Sequence, residues 1–367
     1  MDRYAWLPDH QLHAAYSLAH ADSLIEQAGH LALDHTRRDT VTLDHVVEGD
    51  MVSTTVTSVA PLPQALVRLA SDALNQLRST LEHVLYAEIE HRAGGPLSSE
   101  HARTVEMPCT PSANDLQKWA EKRPRRDIAV LQPGTALYRR IADLQPFQRR
   151  DSQDVHPLKI LVAHTNHSKH RTPSLAATFV AAVQPDQPSD DIQVTPPLDR
   201  PIKVGDVLAI QPVGRVVEAS LWPKIAIQRP HTDTWHILIH ELRDLESWVR
   251  RSALPLLIAG STDVSPLPPH LDITIGYADF RTAIGAAGTA SAADRLEMLL
   301  GAEMAREALP GILLMHSHGS PHGQALAAWA AALSDDEALQ RHESLRGFQG
   351  HDLDTAVRAM IDEVLNA

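Results

Sequence analysis

From His10 to Asp34 the apolar residues Leu12, Ala15, Leu18, Ala19, Leu24, Ile25, Ala28 and Leu31 recur at helical spacing, which predicts an amphipathic helix. The period then changes to two. Val41, Leu43, Val46 and Val47, followed by Val52, Thr54, Val56, Thr57 and Val59, read as two strands joined at Glu48-Gly49-Asp50. Pro61 and Pro63 end them. Between Gln64 and His91, Leu66, Leu69, Ala70, Ala73, Leu74, Leu77, Leu81, Val84 and Leu85 predict a long amphipathic helix that stops at Gly94-Gly95-Pro96.

Residues 97–135 read as a connector with one short helix around Leu116 to Glu121. Helices follow over Thr135–Leu144 and Pro157–His170, the second ending before Pro173. Ala176–Val183, Ile192–Val194, Val207–Val213 and Ile225–Ile227 then read as short strands between Pro, Gly and Asp turns. Thr234–Arg251 returns to the helical period. Pro266, Pro268 and Pro269 mark a linker, and Leu271–Tyr277 reads as a strand. Ala283–Leu309, Gly323–Leu333 and Asp352–Leu365 read as Ala-rich helix. The expected fold class is mainly α with an inserted small antiparallel β-sheet (α+β). It places a helical core over residues 1–257, carrying the hairpin at about 41–59 and the small sheet at about 176–227. A mostly helical C-terminal extension covers 258–367.

Composition narrows the chemistry. The single cysteine, Cys109, rules out an intrachain disulfide or a multi-cysteine metal centre and has no histidine beside it in sequence. The first residues lack the basic-then-apolar pattern of a signal peptide, and no window approaches eighteen consecutive apolar residues. The expectation is a cytoplasmic protein with no membrane partner. A net charge of −13 opposes non-specific binding of nucleic acid by the chain as a whole. The charge is segregated, however: Lys118 to Arg171 carries twelve basic residues against five acids. Such a segment can form a local anion-binding surface or an ordinary solvated one.

On the long helix Asn75, Ser79 and His83 form a polar row at i,i+4 spacing, and Arg78 with Glu82 makes an i,i+4 pair. The row reads either as a site completed by a second subunit or as an exposed helix face. His236 and His240, four apart with Glu241 adjacent, have metal-ligand spacing, but the His-Glu-x-x-His order is missing. His316, His318 and His322 cluster beside Gly and Pro without a carboxylate set. No metal and no cofactor is expected, and no phosphate-binding glycine loop or dinucleotide fingerprint is present in the sequence.

The segment Asn75-Gln76-Leu77-Arg78-Ser79-Thr80-Leu81-Glu82-His83 resembles the Asn-Leu-Arg-Ser-Ala-Leu-Asp-His helix of a family of uncharacterised bacterial and phage proteins. Arg78 and His83, with four residues between them, are also similar to the Arg-(four to six residues)-His signature of the HEPN superfamily. Leu144-Gln145-Pro146-Phe147, His156-Pro157-Leu158, Asn166 with Lys169-His170-Arg171, and Leu254-Pro255-Leu256-Leu257 extend the resemblance over about residues 10–257. Ser79 stands where active members often carry Asn, Asp or His.

The resemblance implies a HEPN-like helical bundle and a homodimer that pairs the signature helices. It further implies a metal-independent endoribonuclease leaving 2′,3′-cyclic phosphate ends, of the kind found in phage defence or toxin–antitoxin pairs, with an antitoxin or regulator as partner. Arg78 would hold the scissile phosphate and His83 would move the proton. Asn75, Ser79 and Glu82 would support them, and Lys169, His170 and Arg171 would grip RNA. The alternative within the resemblance is a non-catalytic module that binds RNA, a nucleotide or a protein.

Overall fold

The computed structural model describes residues 3–170, 175–185, 189–196, 198–215, 217–316, 323–346, 348 and 351–366. It is mainly helical, with small antiparallel sheets. The helices are α1 (His13–Thr36), α2 (Gln64–Ala93), α3 (Ser99–Ala102), α4 (Ala113–Glu121), α5 (Ala136–Asp143), α6 (Pro157–His170), α7 (Leu238–Trp248), α8 (Leu254–Ala259), α9 (Phe280–Ala286), α10 (Ala292–His316), α11 (Gly323–Ala332), α12 (Asp335–Arg346) and α13 (His351–Asn366). The strands are β1 (Val41–Glu48), β2 (Met51–Val59), β3 (Ala176–Pro185), β4 (Gln193–Val194), β5 (Val207–Pro212), β6 (Ala219–Gln228) and β7 (Trp235–Ile237).

The chain divides into two compact units, residues 1–293 and 294–367. At the centre of the first, α2 buries Leu66, Leu74, Leu77, Leu81, Leu85 and Ile89. Against it α1 presents mostly small side chains, Ala14, Ala15, Ala21 and Ala28, with Leu18 and Ile25 between them. Alanines let the two axes approach while the leucines of α2 fill the space, each fully buried leucine contributing about 2 kcal/mol of transfer free energy. Gly94 ends α2 in the left-handed region at φ 78°, where its N–H returns to the carbonyl of His91.

The expected single inserted sheet is two sheets. The 41–59 hairpin does not stand apart: β2 pairs antiparallel with β5, giving a four-stranded sheet in the order β1-β2-β5-β4. β3, β6 and β7 form the second sheet. A small apolar cluster of Val56, Val180, Ile202 and Leu208 draws on both sheets. β6 serves two cores, with Leu221 on this cluster and Ile225 and Ile227 in the helical bundle.

Three local expectations change. The helix expected from Thr234 begins only at Leu238, because Trp235-His236-Ile237 pairs with Gln228, Ile227 and Ala226 as strand β7. A π-helical segment, Val249–Ala253, leads into Pro255, whose missing N–H cannot continue the α-helical ladder. Leu271–Tyr277 forms no strand; one bridge between His270 and Gly288 is the nearest β pairing.

The first unit also runs beyond residue 257. Leu267, Leu271, Ala283, Ile284 and Ala292 join the bundle core, the Trp6 indole donates to Ser265 O at 2.9 Å, and Asp22 caps α10 by accepting from Ala292 N at 2.6 Å. The prolines at 266–269 therefore lie within a packed segment. The helix expected over Ala283–Leu309 is broken into α9 and α10.

The second unit has its own core of Leu309, Leu313, Leu326, Leu345, Val357 and Met360. Its α12 went unpredicted although Ser334-Asp335-Asp336-Glu337 is a capping box. Ser334 Oγ accepts from Glu337 N at 3.3 Å, and Glu337 accepts from Ser334 N at 2.9 Å.

Candidate functional site

Arg78 lies within the bundle. Its side chain is nine-tenths buried. Nε donates to Glu82 Oε1 at 2.7 Å one turn along α2, and Nη2 donates to the carbonyl of Met107 at 2.5 Å. Nη1 is buried without a hydrogen-bond partner. Met107 lies in an irregular segment that Gln145 pins, its Nε2 donating to Pro108 O at 3.0 Å and its Oε1 accepting from Thr110 N at 2.9 Å. Arg78 thus ties a helix to a connector. Burial pushes the neighbouring Cys109 thiol up, against the opposing pull of Arg78 and Lys159, so it stays protonated and inert at neutral pH.

His83 occupies different surroundings. It is exposed, and its charge acts on His13 of α1. Burial lowers the His13 imidazole, a hydrogen bond with His10 opposes that, and the charges of His83 and His10 add to the lowering. Five residues along α2 turn a side chain by ~140° about the axis. The Arg78 guanidinium reaches the connector, whereas His83 is exposed and acts on His13 of α1 through its charge.

The supporting residues divide in the same way. Asn75 Nδ2 donates to Ser168 Oγ at 3.4 Å, linking α2 to α6, while its Oδ1 is buried without a partner. Ser79 is half-buried. Glu82 is one-third exposed and is the carboxylate partner of Arg78. Lys169 is exposed near the end of α6. The His170 side chain and the whole of Arg171 lie outside the described residues.

The basic segment separates into two populations. Arg125 is buried, donates to Trp119 O at 2.9 Å and Thr104 O at 2.7 Å, and lies 4.7 Å from the Trp119 ring centroid. Arg140 donates to Leu257 O and Ile258 O at 2.9 and 2.7 Å, closing the end of α8. Gly260 follows there at φ 76°, and a Cβ on it would meet the Arg140 guanidinium at 2.8 Å. Lys118 and Lys159 pair with Asp115 and Asp154. By contrast, Lys122, Arg123, Arg139, Arg149, Arg150 and Lys169 are exposed and make no ion pair among the described residues.

The histidine pair does not form a metal site. His236 is in β7, His240 is exposed, and Glu241 is turned inward. Glu241 accepts from Arg229 Nε and Nη2 at 2.8 and 2.7 Å and meets His164 Nε2 at 3.2 Å. Burial raises this carboxyl, but the bonds and charges of Arg229 and His164 outweigh it and hold it at about 2. Sequence reasoning missed this triad because its members come from α6, α7 and the turn after β6. Among the described residues no three His, Cys, Asp or Glu side chains are placed to hold a metal ion. His318 and His322, with the His316 side chain, lie outside the described residues. No helix among the described residues is long and apolar enough to cross a membrane.

The chain is thus an α+β protein with a helical core, an attached pair of small sheets and a row of polar groups on its central helix. Comparison with protein-family models, with curated proteins and with solved structures gave no match.

Proposed function

We propose that the chain is a HEPN-like helical module that binds RNA through the exposed cations of its 118–171 segment and does not cleave it. The observation that carries this reading is the commitment of Arg78. Its guanidinium is engaged by Glu82 and the Met107 carbonyl inside the bundle, and Nη1, the nitrogen left without a partner, is buried, so a scissile phosphate would have to enter the bundle to reach it. The unpaired Lys122, Arg123, Arg139, Arg149, Arg150 and Lys169, in contrast, have no internal bond to an acid to give up. Phosphate contacts from such side chains supply affinity without sequence choice.

The test is a salt titration of binding to a fluorescent single-stranded RNA, in excess EDTA, with product ends analysed in the same tubes. Binding should weaken steeply with salt, and Arg149→Ala with Arg150→Ala should lower the log–log slope by about 1 to 2. An unchanged slope and affinity would reject the basic segment as the interface. A second reading, the metal-independent endoribonuclease, has one observation in its favour: His83 is exposed and makes no hydrogen bond among the described residues. Cleavage in EDTA to 2′,3′-cyclic phosphate ends, lost in His83→Ala, would favour that reading over binding alone.

A further inference from the structure

Strand β1 stands at one edge of the four-stranded sheet and has a single neighbour, β2. Six of its eight residues are exposed, among them Val46 and Val47 at 41% and 63%. None of them belongs to the RNA reading. An edge strand carries a row of unpaired N–H and C=O groups, and folded proteins blunt it with lysine, proline, a bulge or a covering segment. From Leu43 to Glu48, β1 has none of these among the described residues; its one irregularity lies earlier, between Thr42 and Leu43. The other sheet edges differ. β3 is met by Ile202 N, which donates to Thr178 O at 3.0 Å, and β4 and β7 are only two and three residues long.

The hairpin fixes which backbone groups point outward. Its loop is two residues, so the flanking pair Glu48 and Met51 exchanges ladder bonds and the pairing alternates from there. Asp44, Val46 and Glu48 therefore bond inward to β2, while Leu43, His45 and Val47 turn N–H and C=O to the open edge. His45 N accords with this, donating to the adjacent Asp44 carboxylate at 2.8 Å and not across the hairpin. That bond lies in water, and a carbonyl of a pairing strand can replace it.

The side chains choose the occupant. A two-fold axis perpendicular to the sheet sets β1 antiparallel to the β1 of a second copy and keeps each face on its own side. The eight-residue strand has two such registers that pair seven residues. With the axis at Asp44, that carboxylate opposes its own copy, a destabilising like-charge pair. With the axis at His45, Leu43 opposes Val47 on both sides of the axis, Asp44 opposes Val46 and Thr42 opposes Glu48, so no acid faces an acid. His45 then opposes its own copy, its ring already held 3.3 Å from Thr54 Oγ1.

From the open edge and this self-complementary register, we infer that β1 pairs antiparallel with the β1 of a second copy of the chain, joining two four-stranded sheets into one continuous sheet. Leu43, His45 and Val47 exchange the backbone bonds, and the exposed Val47 is covered by Leu43 of the other copy.

The experiment is sedimentation of the full-length chain at concentrations up to about 100 μM, a range suited to an interface of this small area. Salt at about 0.15 M screens the charge of −13 on each copy. The mass should double as concentration rises. Val47→Pro removes one outward N–H and no bond to β2, and Val47→Lys sets a charge against Leu43. Each should raise the dissociation constant at least about tenfold, with an unchanged circular dichroism spectrum. In a Cys109→Ser background under copper–phenanthroline oxidation, His45→Cys should give a disulfide-linked dimer and Asp44→Cys far less of one, because only position 45 faces itself in this register. A protomer mass at every concentration, a dimer that survives both Val47 variants and so uses another surface, or faster cross-linking at position 44 would overturn the inference.

Discussion

The arginines of the bundle and those of its surface share a side chain and have opposite circumstances. Inside, Arg78, Arg229 and Arg250 are each matched to a carboxylate, Glu82, Glu241 and Glu246, at 2.5 to 2.7 Å. Outside, Arg123, Arg139, Arg149 and Arg150 are exposed and make no ion pair among the described residues. A guanidinium withdrawn from water must recover its hydration from fixed partners, and those partners then hold it in place. One left in water keeps its charge available to an arriving phosphate. The contrast teaches that the arginine the sequence singles out for chemistry is bonded inside the bundle, while less conspicuous arginines are exposed and make no ion pair among the described residues.

The sharpest way to break that contrast is to strip an interior network of its acid. Glu241→Ala leaves Arg229 and His164 facing each other without an acceptor, and urea unfolding should show a loss of about 3–5 kcal/mol. A loss below about 1 kcal/mol would mean that the triad is not a structural element.

Acid titration probes the same interior. His156 caps α6 through Nδ1, which accepts from Leu158 N at 3.2 Å, and its ring meets Trp248 edge-on at 5.7 Å. Burial, helped by Arg149, lowers this imidazole to about 4. The folded state therefore keeps His156 neutral while the unfolded chain takes up a proton below about pH 6.5, so stability is full above 6.5 and falls as pH drops toward 4. The difference between wild type and His156→Asn, which retains an acceptor for the cap, should grow to about 3 kcal/mol at pH 4. Parallel pH curves for the two proteins would refute the depressed histidine.

A smaller loss is expected at the signature helix. Arg78→Ala removes the donor to the Met107 carbonyl and should cost about 2 kcal/mol by chemical denaturation. A wild-type midpoint in that variant would move Arg78 out of the structural set and back toward a site. At the low end, the Arg149→Ala and Arg150→Ala pair used in the RNA titration should change stability by less than about 0.5 kcal/mol.

Several elements could be read without the structure because their signals are local. Pro63 before α2 and Gly94 after it bracket that helix, and Gly49 marks the hairpin turn between β1 and β2. The Ser334–Glu337 box announced α12 just as plainly and was missed for want of an apolar stripe. Trp235-His236-Ile237 misled because its apolar spacing suits a helix as well as a strand, and only the partner strand β6 decides. The same holds for the candidate site. The spacing of Asn75, Arg78, Glu82 and His83 on one helix was legible, but which of them would be buried was not, since that depends on where residues 107–110 and α1 pass.

By itself the sequence determined helices α1, α2 and α6, the hairpin and the polar row, because propensity, periodicity and capping act over a few residues. Only the tertiary structure decided that the hairpin joins β5, that the bundle extends through Ala293, and that Arg78 is enclosed while Arg149 and Arg150 are not. Those outcomes depend on contacts between segments far apart in the chain. There the free energy of burying one face against another outweighs any local preference.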